Sequence, residues 1–243
     1  MYERMMGHPP SEALQLQREA VKAFGWSAGD DLKALEYVID ILGDNLIDSD
    51  KVWKRLADTL REIGRVTIIG ADVDSISLDM GRDEHYLVAD GAFAAFTHLD
   101  SSIIERVLAI VTDADGGDEM RKAIDHPHIL WILHPHNDNI DDVVVLAQHL
   151  KELKRTVVLT HQLEEEVIGA VNVGGLTDGD RAACLARHVL DSSAIKLDGF
   201  SIGHIGHWSG QSDPEQKLLK LDWMAKILDS LGLDGFRTSQ PEF

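Results

Sequence analysis

The feature that most constrains the fold is a series of short apolar runs, most of them stopping abruptly at a polar residue. They are RVTIIG, HYLVAD, VLAIVTD, HILWILH, RTVVLT and AIKLDGF, all after Gly64. Continuous apolar runs, rather than in–out alternation, mark strands covered on both faces, and helical patterning lies between them. Strand, helix and strand in succession predict βαβ units. The expected fold is therefore α/β, a mainly parallel, Rossmann-like sheet with flanking helices. Candidate crossover helices span 91–102, 116–125, 138–154 and 177–190. The tail PEQKLLKLDWMAKILDSLG reads as a further amphipathic helix with Pro214 in its first turn.

The chain before Gly64 has a different texture. SEALQLQREAVKAF, DDLKALEYVIDIL and SDKVWKRLADTLREI repeat apolar residues at helical spacing, with Pro9-Pro10 and Gly29-Asp30 as breaks and Ser49 and Asp50 as candidate caps of the third helix. The expected organisation is a helical N-terminal segment, 1–64, followed by an α/β catalytic domain, 65–243. No internal repeat or long linker is evident.

The polar residues at the strand ends carry the functional information. Asp90 comes after HYLVA, Thr112 and Asp113 after VLAIV, His134 after HILWIL, and Thr160 after RTVVL. In open α/β sheets the carboxyl edge of the strands is where ligands bind, so these side chains should converge on one cleft.

Composition narrows the ligand. With 42 acidic and 23 basic residues the formal net charge is -19, a surface that repels nucleic-acid phosphates and anionic lipid. Neither nucleic acid nor membrane is an expected partner. No apolar run approaches the roughly 18 to 20 residues that span a bilayer. The start, MYERMMGHPPSEALQLQRE, shows no export signal, and a single cysteine, Cys184, excludes an internal disulfide framework. A cytoplasmic location is expected. An anionic ligand such as a nucleotide needs a divalent cation to sit beside so many carboxylates.

Three segments carry candidate chemistry. VTDADGG sets Asp113 and Asp115 two residues apart at a strand end. In an extended chain both face one side and can reach one ion, although a helix N-cap is the plain alternative. HPHNDN crowds His134, His136, Asn137, Asp138 and Asn139 behind a very apolar strand. Paired imidazoles suit zinc, whereas the neighbouring oxygen donors suit Mg²⁺ or substrate hydrogen bonds, and Asp138 or Asn139 can also be a helix cap. NVGGLTDGDRAA combines Gly174 and Gly175, which allow close backbone approach, with a helix start that offers N–H groups to phosphate. There Thr177 and Asp180 resemble a capping box, and Arg181 suits either a phosphate oxygen or a neighbouring acid. The spacing matches neither a P-loop nor a dinucleotide fingerprint. The loop GHIGHWSG, with His204, His207 and Trp208, is a candidate lid or mere surface irregularity.

Taken in order, ADGA, VTDADG, HPHNDN, THQ, NVGGLTDGDRA and the final KLLKL resemble the archaeal 6-hydroxymethyl-7,8-dihydropterin pyrophosphokinases, a family with a thiamine-pyrophosphokinase-like catalytic fold. The resemblance runs from about Val66 to Leu221. It implies transfer of the diphosphate of ATP to the hydroxymethyl group of the dihydropterin, with release of AMP, toward a folate-like carrier of the methanopterin type. It implies catalytic roles for Asp113, Asp115, Asp138, His136 and Arg181, with Mg²⁺ on Asp113, Asp115 and Asp138. Nucleotide and substrate contacts would fall to Asp90, Gly91, Ala92, Thr112, Asn139, Thr160, Gln162, Asn172, Gly174, Gly175, Thr177, Asp178 and Asp180. Expected cofactors and partners are Mg²⁺, ATP as co-substrate and a pterin, with homo-oligomerisation left open. Two departures stand out: GADVDSI replaces the family's GAGPSL, and HPHNDN replaces HAHGDN. Rival readings keep the fold but change the chemistry, to thiamine or another hydroxymethyl acceptor, to sugar transfer, or to nucleotide binding without turnover.

Overall fold

A computed structural model of the chain describes residues 10–46, 48–75, 78, 84–210, 213–234 and 236. Residues 1–9, which open the stretch read for an export signal and include Pro9 of the Pro9-Pro10 break, lie outside the described residues, as does Ile76 of the GADVDSI loop.

Seven strands form one all-parallel sheet: β1 (Val66–Ile69), β2 (Tyr86–Ala89), β3 (Val107–Thr112), β4 (Leu130–Leu133), β5 (Val157–Thr160), β6 (Ala170–Val171) and β7 (Ile195–Asp198). Their order across the sheet is β6-β5-β4-β3-β2-β1-β7. The six expected strands are all present. Only β6, two residues long, has too little sequence to leave a pattern.

The helices are α1 (Ser11–Phe24), α2 (Ala28–Leu42), α3 (Ser49–Ile63), α4 (Ser101–Ile104), α5 (Gly117–Arg121), α6 (Ile140–Glu152), α7 (Asp178–Arg187) and α8 (Pro214–Ser230). Gly25, in the left-handed region at φ 67°, ends α1, and Ser27 caps α2 by accepting from the Asp30 amide. The break between these helices is thus Gly25 to Ser27. Gly29 and Asp30 lie inside the first turn of α2. The cap of the third helix is Asp48, one residue before the expected Ser49, so Ser49 and Asp50 lie in its first turn. The expected crossover at 91–102 is instead a 3-10 helix, Asp90–Phe96, followed by the single turn of α4.

The strand order decides which face each helix covers. From β1 to β6 each new strand is laid beside the last in one direction, so right-handed crossovers all fall on one face. The return from β6 to β7 runs the opposite way and puts α7 on the other face. The cores agree. Along the strands, buried residues alternate between two clusters, Ile68, Leu87, Val111 and Ile132 in one and Ile69, Val88, Ile110 and Leu133 in the other. The first cluster packs against α1, α3, α7 and α8, and the second against the 3-10 helix, α2 and α6. The helices before residue 64 therefore share both cores with the sheet. Among the described residues no helix is long and apolar enough to cross a membrane.

Candidate active site

A cavity of about 350 Å³ opens at the carboxyl ends of β1, β2, β3, β4 and β7. Its walls include Asp90, Gly91, Asp113, Asp115, His136, Asp138 and Asn139 from the strand ends, and Thr177, Asp178 and Arg181 from the start of α7. These ten expected site residues are brought together. Trp26, Phe200, Trp208, Lys217 and Lys220 join the lining from elsewhere in the chain.

On one side of the cavity three carboxylates, Asp90, Asp113 and Asp115, converge with oxygens all within 4.8 Å of one another. Two unusual backbone conformations bring them there. Asp90 is in the left-handed region at φ 43°, and so is Ala114 at φ 77°. Such conformations cost non-glycine residues about 1 to 3 kcal/mol and persist only where surrounding contacts enforce them. Here the Thr112 hydroxyl supplies those contacts. It donates to Asp90 Oδ1 and accepts from the Ala114 amide at 2.8 Å. Asn139 fixes the far side by donating from Nδ2 to the Asp113 carbonyl oxygen at 2.5 Å.

The electrostatic result is a strained cluster. Burial pushes Asp90 well above the usual carboxylate range, and the charges of Asp178, Asp113 and Asp115 add to it. Burial and Asp115 raise Asp113 to about 6, although His136, Arg181 and Lys220 pull it back. Burial and Asp113 likewise lift Asp178, against the pull of Arg181. Carboxylates packed this way repel one another unless a cation lies among them. The donors are all oxygen, which fits Mg²⁺, an ion bound through one or two carboxylates together with substrate phosphate oxygens. Asp138 lines the same cavity outside this three-acid group.

The cavity lining also carries cations, Arg181, Lys217 and Lys220. Arg181, nearly buried, is paired with Asp178 at 2.9 Å and also donates to the Leu176 carbonyl oxygen at 3.3 Å. Lys217 donates to the Gly210 carbonyl oxygen at 2.9 Å, and Lys220 lies 5.1 Å from the Trp26 ring centroid. The capping box of α7 is present. The Thr177 amide and hydroxyl both donate to Asp180 Oδ1 at 2.6 Å, and Asp180 Oδ2 accepts from the Leu176 amide at 2.9 Å. Asp180 therefore holds the turn rather than lining the cavity. Gly175 has φ 87°, and a Cβ there would lie 2.5 Å from Arg181 Cα, so this position demands glycine to let the turn close on α7.

The remaining expected residues sit behind the wall. Thr112 supports Asp90. Thr160 Oγ1 meets His134 Nδ1 at 2.9 Å, and Gln162 donates to Asp31 at 2.9 Å. Asn172 donates to Gln17 Oε1 at 2.9 Å and accepts from the Gly174 amide at 2.9 Å. Ala92 is buried in the 3-10 helix. His134 is wholly buried, and burial together with the charges of Arg181, His136 and His161 keeps its ring well below the usual imidazole range.

A curated relative from Pyrococcus furiosus is 31% identical over 88% of this chain and 90% of its own length, and is named 6-hydroxymethyl-7,8-dihydropterin pyrophosphokinase. The chain belongs to that family. A relative of the same name from Methanocaldococcus jannaschii is 33% identical over 60% of this chain and 61% of its own length. Another from Methanothermobacter thermautotrophicus is 28% identical over a similar share. No family model matches the chain. The name of these relatives describes enzymes of the diphosphotransferase class.

Several residues in the cavity wall, and Asp31 directly behind it, were not singled out by sequence. Trp26 precedes the cap of α2 and, as an isolated aromatic between two helices, carried no distinctive pattern. Asp31 looks like any acid in a helix first turn, where the dipole favours negative charge. Lys217 and Lys220 lie in KLLKL, a segment that resembles the family without revealing a role. The 199–210 loop does reach the site. The Trp208 amide donates to the Ala71 carbonyl oxygen at 2.8 Å, its indole donates to the Val73 carbonyl oxygen at 3.1 Å, and His204 meets Asp72 at 2.9 Å. The altered GADVDSI loop thus has partners of its own.

Proposed function

We propose that this chain transfers the diphosphate of ATP to the hydroxymethyl group of 6-hydroxymethyl-7,8-dihydropterin and releases AMP. The observation that carries the reading is the cavity itself, whose lining brings the three-carboxylate cluster together with Arg181, Lys217 and Lys220. The family relationship supplies the acceptor.

In this reading Asp113 and Asp115, joined by Asp90, hold Mg²⁺. The ion supplies charge neutralisation for the polyphosphate when bound. Arg181, Lys217, Lys220 and the free N–H groups at the start of α7 bind the phosphate oxygens and hold the β-phosphorus in line with the acceptor. The hydroxymethyl oxygen forms a bond to the β-phosphorus as the bond from that phosphorus to the α-phosphate oxygen breaks, so AMP leaves with the bridging oxygen. The hydroxyl proton passes to His136 or Asp138, the proton acceptors beside the acids. Phe200 and Trp208 offer aromatic surface for a flat heterocycle. Catalysis is chiefly positioning and electrostatics, because little covalent chemistry is asked of the protein. The same reading places the enzyme in the cytoplasm, on the route to a methanopterin-type carrier.

The test is product analysis with purified protein, ATP, Mg²⁺ and the dihydropterin. The reading expects AMP and pterin diphosphate in equal amounts, and neither without Mg²⁺. Release of ADP, turnover with thiamine or a nucleotide sugar instead, or nucleotide binding without turnover would each contradict it.

A further inference from the structure

His136 is contacted by three side chains, and two of them come from the N-terminal helical segment. Its Nδ1 lies 3.2 Å from Asp31 Oδ1 on α2, 105 residues away in sequence. Its ring meets Trp26 edge-on at 5.5 Å and lies 4.7 Å from the His134 ring. Asp31 is itself held tightly. Asp31 Oδ2 accepts from Gln162 Nε2 at 2.9 Å, and Oδ1 also accepts from the Asn137 amide at 3.4 Å. Burial works against its charge, yet His136, Gln162 and the Asn137 amide together keep the Asp31 carboxyl below its ordinary value. A buried carboxylate that accepts from an imidazole, an amide side chain and a backbone N–H has most of its acceptor capacity committed within the protein.

The functional consequence comes from imidazole chemistry. A neutral ring has one protonated and one bare nitrogen, and a carboxylate on one of them decides which is which. We propose that Asp31 is a positioning residue of the diphosphotransfer site, accepting a hydrogen bond from the protonated Nδ1 of His136 and so leaving Nε2 as the bare nitrogen for the cavity that His136 lines. The inference deepens the proposed diphosphotransfer and rests on it for the identity of the proton that Nε2 receives, that of the acceptor hydroxyl. It also gives α2 a task in the reaction. Gln17 on α1 does the parallel work at the other wall, donating to the Gly175 carbonyl oxygen at 2.7 Å.

The test joins a spectroscopic signature to kinetics in the full-length protein. With ¹⁵N-labelled histidine at about pH 8, where an unperturbed imidazole is neutral, the His136 signal is identified by its loss in His136→Asn. Wild type should show protonated Nδ1 and bare Nε2. Asp31→Ala should lose that pattern and lower kcat on the order of 100-fold, the scale of a mispositioned general base, with KM for ATP within about threefold of wild type. Asp31→Asn keeps an acceptor oxygen of the same shape. It should retain the tautomer and recover kcat to within about tenfold of wild type, and it serves if the alanine variant does not fold. Protonated Nε2 in wild type would overturn the proposal, as would an unchanged kcat in an alanine variant whose tautomer has changed. A wild-type protein that makes no pterin diphosphate would sink the diphosphotransfer reading, while the tautomer measurement would still decide the Asp31–His136 pairing.

Discussion

Asp113 lines the cavity and Asp31 lies behind its wall against His136, and their environments push the two aspartates in opposite directions. Asp31 is surrounded by donors, and its carboxyl lies below the ordinary value although burial opposes this. Asp113 is surrounded by other acids, and burial with Asp115 raises it to about 6. The difference teaches that burial alone does not set the charge of a carboxylate. The donors around Asp31 are part of the protein, so that site is complete without a ligand. Among the described residues the cations near Asp90, Asp113 and Asp115 do not offset the crowding of these acids, since Asp90 and Asp113 both stay raised, which marks the cluster as the place for a cation and its phosphates.

The comparison can be broken most severely at Asp113. Asp113→Asn should lower turnover on the order of 1,000-fold, as loss of a charge that holds the metal would, while circular dichroism shows an intact fold. Near wild-type activity would remove Asp113 from the metal role. The same pair of sites should part in stability. Asp31→Ala leaves His136, Gln162 and the Asn137 amide without their acceptor and should cost on the order of 3 kcal/mol in urea unfolding. Asp113→Asn, which relieves repulsion, should be neutral or stabilising in metal-free protein.

The pH dependence of stability should separate them by sign. A carboxyl raised in the folded state stabilises below its unfolded value and loses that contribution as pH rises through the folded one. Metal-free protein should therefore lose stability between about pH 4 and pH 6 through Asp113, with the raised Asp90 and Asp178 acting in the same direction, and saturating Mg²⁺ should remove this loss. Asp31, whose carboxyl is lowered, stabilises above the unfolded value and gives up that contribution only as pH falls below about 4. Urea midpoints across pH, with and without Mg²⁺, check both. The smallest effect is expected from Thr112→Val. It removes the hydroxyl that donates to Asp90 and accepts from Ala114, and it should cost about 1 kcal/mol while weakening Mg²⁺ binding in calorimetry.

Much of this arrangement was legible in the sequence, for identifiable reasons. Strands buried on both faces leave continuous apolar runs, and the first polar residue after each run must lie on the ligand-binding edge. Asp90, Asp113 and His134 could be placed there from one chain. The convergence of Asp113 and Asp115 was expected from extended i, i+2 spacing, but it is achieved by a left-handed Ala114, which no pattern announces. Asp90 could be set at a strand end but not within the acid cluster, because that depends on its own φ of 43°. Asp31 and Trp26 were invisible for a different reason. Their role comes from packing between α2 and the β4 loop more than 100 residues away, and periodicity carries no information at that distance.

The central claim is that the acid cluster, not the histidine pair, holds the cation on the nucleotide phosphates. Anomalous diffraction from Mn²⁺, standing in for Mg²⁺ with a non-hydrolysable ATP analogue, tests it most directly. The account expects a peak bound by carboxylate oxygens of Asp113 and Asp115, beside Asp90, with the phosphates facing Arg181 and the start of α7. A peak on His134 or His136, or an analogue bound with no metal at the acids, would contradict it.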